Sequence, residues 1–353
     1  MKRLAFFAAL ALSIACTGRP RYVAPEDEDS KAPGPKDARL VEIDLTSGAP
    51  EGSSSGFIQL PAARTYTGLV RSLERAFHED TTAGIYVKLG NESVGFARAE
   101  ELGELLARFR AKQKPVVCHA HDYGNASSWL ALRGCSRIWL SAAGSMDTVG
   151  IAAELVHLKG LLDRLKVQAD ILSMGKYKSG AEPLTREEPS DATRESLAAT
   201  LASLRQSWLD AVEQGRPGRG LRDKLEQGPY SPEQALGAGL VDAIGFESDA
   251  RNDARRLAKT LFHESAFGPR AQADGGIDIG ELIKLLTGSD DGASGRPRIA
   301  VIPAEGAIGM EAGGPLDSGG ITAKALTRTL RRLRQDDTVK AVVLRIDSPG
   351  GSP

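Results

Sequence analysis

Apolar residues along this chain recur with two periods. Short runs of four to six residues, Leu40 to Leu45, Ile85 to Leu89, Pro115 to His119 and Arg137 to Leu140, read as strands. Between them, Leu69, Leu73, Ala76 and Phe77 repeat at helical spacing, as do apolar positions over Leu102 to Phe109 and Leu155 to Leu165. A longer helix follows. Ser190 is its expected cap, and Leu197, Leu201, Leu204, Trp208 and Val212 line one face. Strand and helix alternate, which predicts βαβ units, a largely parallel sheet and an α/β fold.

The pattern repeats. Residues 72–89 read S-L-E-R-A-F-H-E-D-T-T-A-G-I-Y-V-K-L, and residues 329–346 read T-L-R-R-L-R-Q-D-D-T-V-K-A-V-V-L-R-I. At a constant offset of 257, Leu73, Arg75, Asp80 and Thr81 meet Leu330, Arg332, Asp337 and Thr338. Helix, turn and strand fall in the same order, so a tandem repeat is expected. Its second copy stops soon after its strand and is expected to be incomplete. The expected organisation is a signal peptide over 1–16, a flexible tether over 17–39, a first domain over 40–264, a linker over 265–297 and the start of a second domain over 298–353. Within the linker, Leu282 to Leu286 suggest a short helical turn.

The ends of the pattern carry targeting information. Lys2 and Arg3 precede an apolar stretch from Leu4 to Ala15, the length of a signal h-region and too short to span a bilayer. Small residues then meet Cys16, which is the expected lipidation site, although Ser13 stands where a lipobox usually has leucine. Ordinary signal cleavage beside an incidental cysteine is the alternative. Pro20, Pro25, Pro33 and Pro35, mixed with the acidic run Glu26 to Asp29, cannot bury a core. Export would expose Cys118 and Cys135 to oxidising conditions. Their apolar surroundings nevertheless predict two buried free thiols.

Composition narrows the function. With 41% hydrophobic and 26% charged residues and a formal net charge of -1, the chain is globular and has no basic field for nucleic acid. Its three cysteines form no C-x-x-C pair, so no metal site is expected. His119 and His121 read as a solvent-facing pair at a strand end.

Two motifs carry chemistry. Residues 174–183 read M-G-K-Y-K-S-G-A-E-P, with two lysines in a glycine-containing loop. A lysine serving as general base near pH 7 must have its pKa lowered by about 3.4, or about 4.6 kcal/mol, which burial in a dry site supplies and an exposed surface does not. Spacing alone leaves a solvated lysine pair as the simpler reading. The second motif, Arg345-Ile346-Asp347-Ser348-Pro349-Gly350-Gly351-Ser352, runs a strand into a turn whose glycines allow backbone amides to point inward. Such amides form either an oxyanion hole or a plain strand-ending turn.

Together, G-x-Y-K-S-x-x-E-P and K-A-V-V-L-R-I-D-S-P-G-G-S resemble the long, tandem form of the signal peptide peptidase A family, with its Clp/crotonase-type fold. Lys114 to Val117, Ile138 to Ser141, Leu161 to Val167 and Ala235 to Gly245 resemble the same family. The resemblance covers residues 40–353. It implies Lys178 as the general base, Gly350 and Gly351 as the oxyanion-hole region, peptide substrates, a lipid-anchored envelope location, a homo-oligomer (a tetramer) and no cofactor. It also implies a nucleophilic serine in a later segment of the second domain. In the first copy Ala126 stands at the corresponding place, one residue before Ser127, so this chain alone is expected to be inactive.

Overall fold

The computed structural model describes residues 37–50, 65–90, 94–172, 174–268, 297–309, 321–348 and 350–351. Cys16, most of the tether and nearly all of the 265–297 linker, Leu282 to Leu286 included, lie outside them.

Five of the expected elements form in order: β1 (Arg39–Asp44), α1 (Tyr66–His78), β2 (Thr82–Leu89), α2 (Phe96–Ala111) and β3 (Val116–Ala120). A short strand, β4 (Tyr123–Gly124), leads into α3 (Asn125–Gly134) and then β5 (Arg137–Leu140). β6 (Met146–Asp147) pairs with β4. Further on come α4 (Lys159–Arg164), α5 (Glu182–Thr185), α6 (Asp191–Gly215), α7 (Pro232–Ala238), β7 (Ala243–Ile244), α8 (Glu247–Ala258) and β8 (Phe262–Phe267).

Six strands make one sheet in the order β7-β5-β3-β2-β1-β8, and every pairing in it is parallel. Alternate residues feed two cores. Val116, Cys118, Ala120, Ile138 and Leu140 pack on the α1, α2, α3 and α6 side. Val117 and Trp139 pack under α8 with Ala250 and Ala254. Central strands buried on both faces explain their unbroken apolar runs. This is the α/β architecture expected for a Clp/crotonase-type chain. Helices α3 and α6 approach closely, since a Cβ on Gly215 would sit 2.1 Å from the Leu132 carbonyl oxygen.

Three expectations need correction. Cys118 and Cys135 are joined by a disulfide, with their Cα atoms 6.0 Å apart. Cys118 lies mid-β3 and Cys135 caps α3, so the β3–α3–β5 crossover brings the second cysteine back under the first. The helix over Leu155 to Leu165 shortens to α4, because Leu161 and Leu165 are 54% and 62% exposed and no core stabilises a longer helix. His119, expected at solvent, is only 4% exposed, because it is the last inward-facing position of β3 on the α8 side. His121, two residues further, is exposed as expected. Ser190 does cap α6, its Oγ accepting from Thr193 N.

The second unit repeats the start of the first. β9 (Arg298–Glu305) pairs in parallel with β12 (Val339–Asp347), and α9 (Ala323–Arg334) precedes β12 as α1 precedes β2. Short strands β10 (Ile308–Gly309) and β11 (Ile321–Thr322) pair beside them. One detail of the turn recurs at the same offset: Thr82 N donates to Glu79 O and Val339 N to Asp336 O. Arg39 and Arg298, 259 residues apart, ion-pair with Glu79 and Asp336. Ala304 is the one buried residue among the described residues of 297–351.

Candidate active site

The Lys178 loop is built from hydrogen bonds, with little apolar packing. Gly175, at φ +106°, turns the chain so that Lys178 N donates to Gly175 O at 3.2 Å. Lys176 Nζ contacts Tyr177 Oη and Glu195 Oε2, both at 3.0 Å, and these partners raise its pKa. Lys178 is exposed, as is Tyr177. The glutamate of the E-P dipeptide fixes the far end of the loop. Glu182 accepts from Ser190 N at 2.9 Å, Ser190 Oγ at 2.6 Å and Thr193 Oγ1 at 2.8 Å. These bonds, the Ser190 hydroxyl first, hold its pKa down at about 2. The N-terminus of α6 is thereby tied to Glu182, which opens α5 four residues beyond Lys178. Sequence reading quoted Glu182 as part of the motif but gave it no role.

Gly350 and Gly351 follow β12, which ends at Asp347. Gly350 has φ +105°, a conformation that favours glycine, and its N–H donates to Ser348 Oγ at 3.1 Å. Its carbonyl accepts from Ile308 N at 2.9 Å. A Cβ on Gly351 would lie 2.0 Å from the Ile308 carbonyl oxygen, so backbone packing alone requires glycine there. Gly350 and Gly351 thus lie in a tight turn anchored on β10.

The first-copy serines are turned onto their own helix. Ser127 and Ser128 are wholly buried. Ser127 Oγ accepts from Gly124 N at 2.9 Å, and Ser128 Oγ donates to Asn125 O at 2.7 Å. Asn125 clamps this helix start to the 149–150 backbone, donating to Gly150 O at 2.7 Å and accepting from Val149 N at 3.1 Å. Buried hydroxyls in such roles are not presented to the exposed Lys178.

A cavity of about 590 Å³, not foreseen from sequence, opens at the carboxyl ends of β1, β2, β3 and β5. Lys88, His119, Ser141 and Glu247 line it. Ser141 Oγ lies 3.4 Å from His119 Nε2, and Lys88 Nζ is paired with Glu247 at 3.0 Å. Burial pushes the His119 pKa down, with the Gly245 backbone opposing. No carboxylate contacts that imidazole among the described residues, so the pair lacks the third group of a triad.

The six-stranded parallel sheet with helices on both faces fits the α/β architecture of a Clp/crotonase-type fold. Residues 108–261, which include the Lys178 loop, match the model of peptidase family S49. The chain is 31% identical over 299 residues to Protease 4 of Salmonella typhi, covering 80% of this chain and 45% of that one. It is 25% identical over 287 residues to the chloroplastic serine protease SPPA of Arabidopsis thaliana, covering 80% and 41%. The chain therefore spans less than half the length of these curated relatives. Among solved structures, an enoyl-CoA hydrotase/isomerase family protein from Silicibacter pomeroyi aligns over 62% of this chain and 78% of its own, with 15% identity and a TM-score of 0.32, too low to assign anything further. Residues 108–261 thus match a peptidase family S49 domain, and the longer similarity of the chain is to Protease 4 and SPPA proteins.

Proposed function

We propose that the protein is a serine endopeptidase of the cell envelope that uses a Ser–Lys dyad to degrade cleaved signal peptides and other unfolded apolar segments. The observation that carries this reading is the family match through residues 108–261, within which the G-K-Y-K-S-G-A-E-P loop is intact and braced by Glu182. Lys178 Nζ takes the proton of a serine hydroxyl as its oxygen attacks the scissile carbonyl. The oxyanion is held by backbone N–H groups of the Gly350–Gly351 turn, with Gly350 N–H exchanging its Ser348 partner for the substrate oxygen. Collapse breaks the C–N bond, and Lys178 returns the proton to the departing amine. Water, deprotonated by the same lysine, then releases the acyl group.

The nucleophile in this reading is a serine other than Ser127 and Ser128, and these 353 residues alone are inactive. The dry environment that Lys178 requires comes from assembly with further copies into a homo-oligomer. Acylation of Cys16 anchors the chain to the membrane. The Cys118–Cys135 disulfide supports an exported location. A second reading, a catalytically silent lipoprotein that assembles or binds peptides, is favoured by the exposure of Lys178 together with the 90% and 98% exposure of Met174 and Leu172.

Hydrolysis of a quenched-fluorescence signal peptide by the gene's whole product separates the two. Lys178→Ala lowers kcat by about 10²–10⁴-fold with folding intact, whereas Lys176→Ala changes it little. Equal losses in both variants assign the loop a structural role, and full activity in Lys178→Ala removes the mechanism.

A further inference from the structure

The glycine turn is reached through β12, and apolar burial does little to hold that strand. Val342, Val343, Leu344 and Ile346 are 42%, 49%, 40% and 62% exposed. Two-stranded sheets are marginal by themselves. Some other contact must set where the second unit lies on the first.

That contact is polar and geometrically specific. Arg345 of β12 presents its guanidinium to Glu101 of α2, with Nη2 3.0 Å from Oε2 and Nη1 3.3 Å from Oε1. The same guanidinium lies over the Tyr66 ring, 4.5 Å from its centroid. Tyr66 opens α1 and is wholly buried, and its hydroxyl donates to Glu101 Oε2 at 2.8 Å. The carboxylate is therefore aimed before Arg345 arrives. Arg98, one helical turn before Glu101, lies over the same ring at 5.1 Å and donates to Ala49 O at 2.9 Å. Its Nη2 also reaches Asp347 Oδ2 at 4.0 Å. Residues 345 and 347 share one face of β12, and both are met by the first unit. Ser348 follows immediately, then Gly350 and Gly351.

We propose that Tyr66, Arg98 and Glu101 form a latch that docks the second unit through Arg345 and Asp347, making Glu101 and Arg345 positioning residues for the Gly350–Gly351 turn. A planar guanidinium satisfies a carboxylate fork and an aromatic face at once, and an ammonium cannot. The repeat supplies an internal contrast. The first-copy counterpart of Arg345 at the 257-residue offset is Lys88, which pairs instead with Asp44 and Glu247 inside its own unit. The arginine belongs to the copy that must dock. The positioning role rests on the oxyanion reading of the turn, whereas the latch itself does not.

Hydrogen exchange on the 353-residue chain tests the latch through the peptide spanning 339–348. Glu101→Arg and Arg345→Glu each accelerate exchange there about fivefold or more, leave β2 and β3 peptides unchanged, and the double swap restores protection. Arg345→Lys, which keeps the charge without the planar fork, gives an intermediate rate. Wild-type exchange in both single variants, or a double swap no better than either, overturns the latch. In the gene's whole product the single swaps lower kcat for peptide hydrolysis more than they change KM, and the double recovers it. Restored protection without recovered kcat leaves the latch standing and removes the oxyanion assignment.

Discussion

A carboxylate that accepts three hydrogen bonds at a helix N-terminus resists protonation, and Glu182 does so through Ser190 and Thr193. Because its folded pKa, about 2, lies below the ordinary 4.5, its contribution to loop order is complete above pH 4.5 and is lost as pH falls through about 2. The amide resonance of Ser190 should therefore stay constant from neutral pH down to about pH 4 and move only toward pH 2. A midpoint near 4.5 would show that the carboxylate does not hold the helix start. The Lys178 loop was legible as a motif, but its brace was not, because the partners of Glu182 lie 8 and 11 residues further on. His119 was misread, since sequence alternation assigns a face but not how far a neighbouring helix covers it. Helix α8 begins at Glu247, 128 residues later, and packs over that strand end.

Most strands and helices of the first unit could be read from periodicity, because their burial is contiguous and two-sided. Where a segment lacks a packing partner, periodicity overstates order. Leu155 to Leu165 has helical spacing, but only Lys159–Arg164 is helical and its apolar residues face outward. The disulfide could not be read, since it depends on a crossover that returns Cys135 beneath Cys118. It closes a loop across a sequence separation of 17, for which chain entropy gives about 3 kcal/mol. A Cys118→Ala, Cys135→Ala double variant should lose roughly that much in urea unfolding, and coincident curves would show that the bond does not constrain the first unit. At β12 the limiting element is the turn. Gly351 packs on Ile308 at a distance no side chain tolerates, which explains the glycine without reference to catalysis. Gly350, with its amide on Ser348, has a donor to redirect.

At the scale of the whole molecule, one chain carries a braced lysine loop on its first unit and a glycine turn on its second, joined through Arg345 and Glu101. Among the described residues no helix is long and apolar enough to cross a membrane, so the proposed attachment rests on Cys16, outside them. The repeat was legible because residues 72–89 and 329–346 share one register, and the Thr82–Glu79 and Val339–Asp336 turn bonds follow it. What would cover the exposed Lys178 was not, because neither periodicity nor motif spacing says what packs on a loop. The most direct test is to label the gene's whole product with a fluorophosphonate probe and map the modified serine by mass spectrometry. The account predicts one labelled serine that is neither Ser127 nor Ser128, with labelling lost in Lys178→Ala. Label on Ser127 or Ser128 that vanishes in Lys178→Ala would contradict it and place a complete dyad in the first unit.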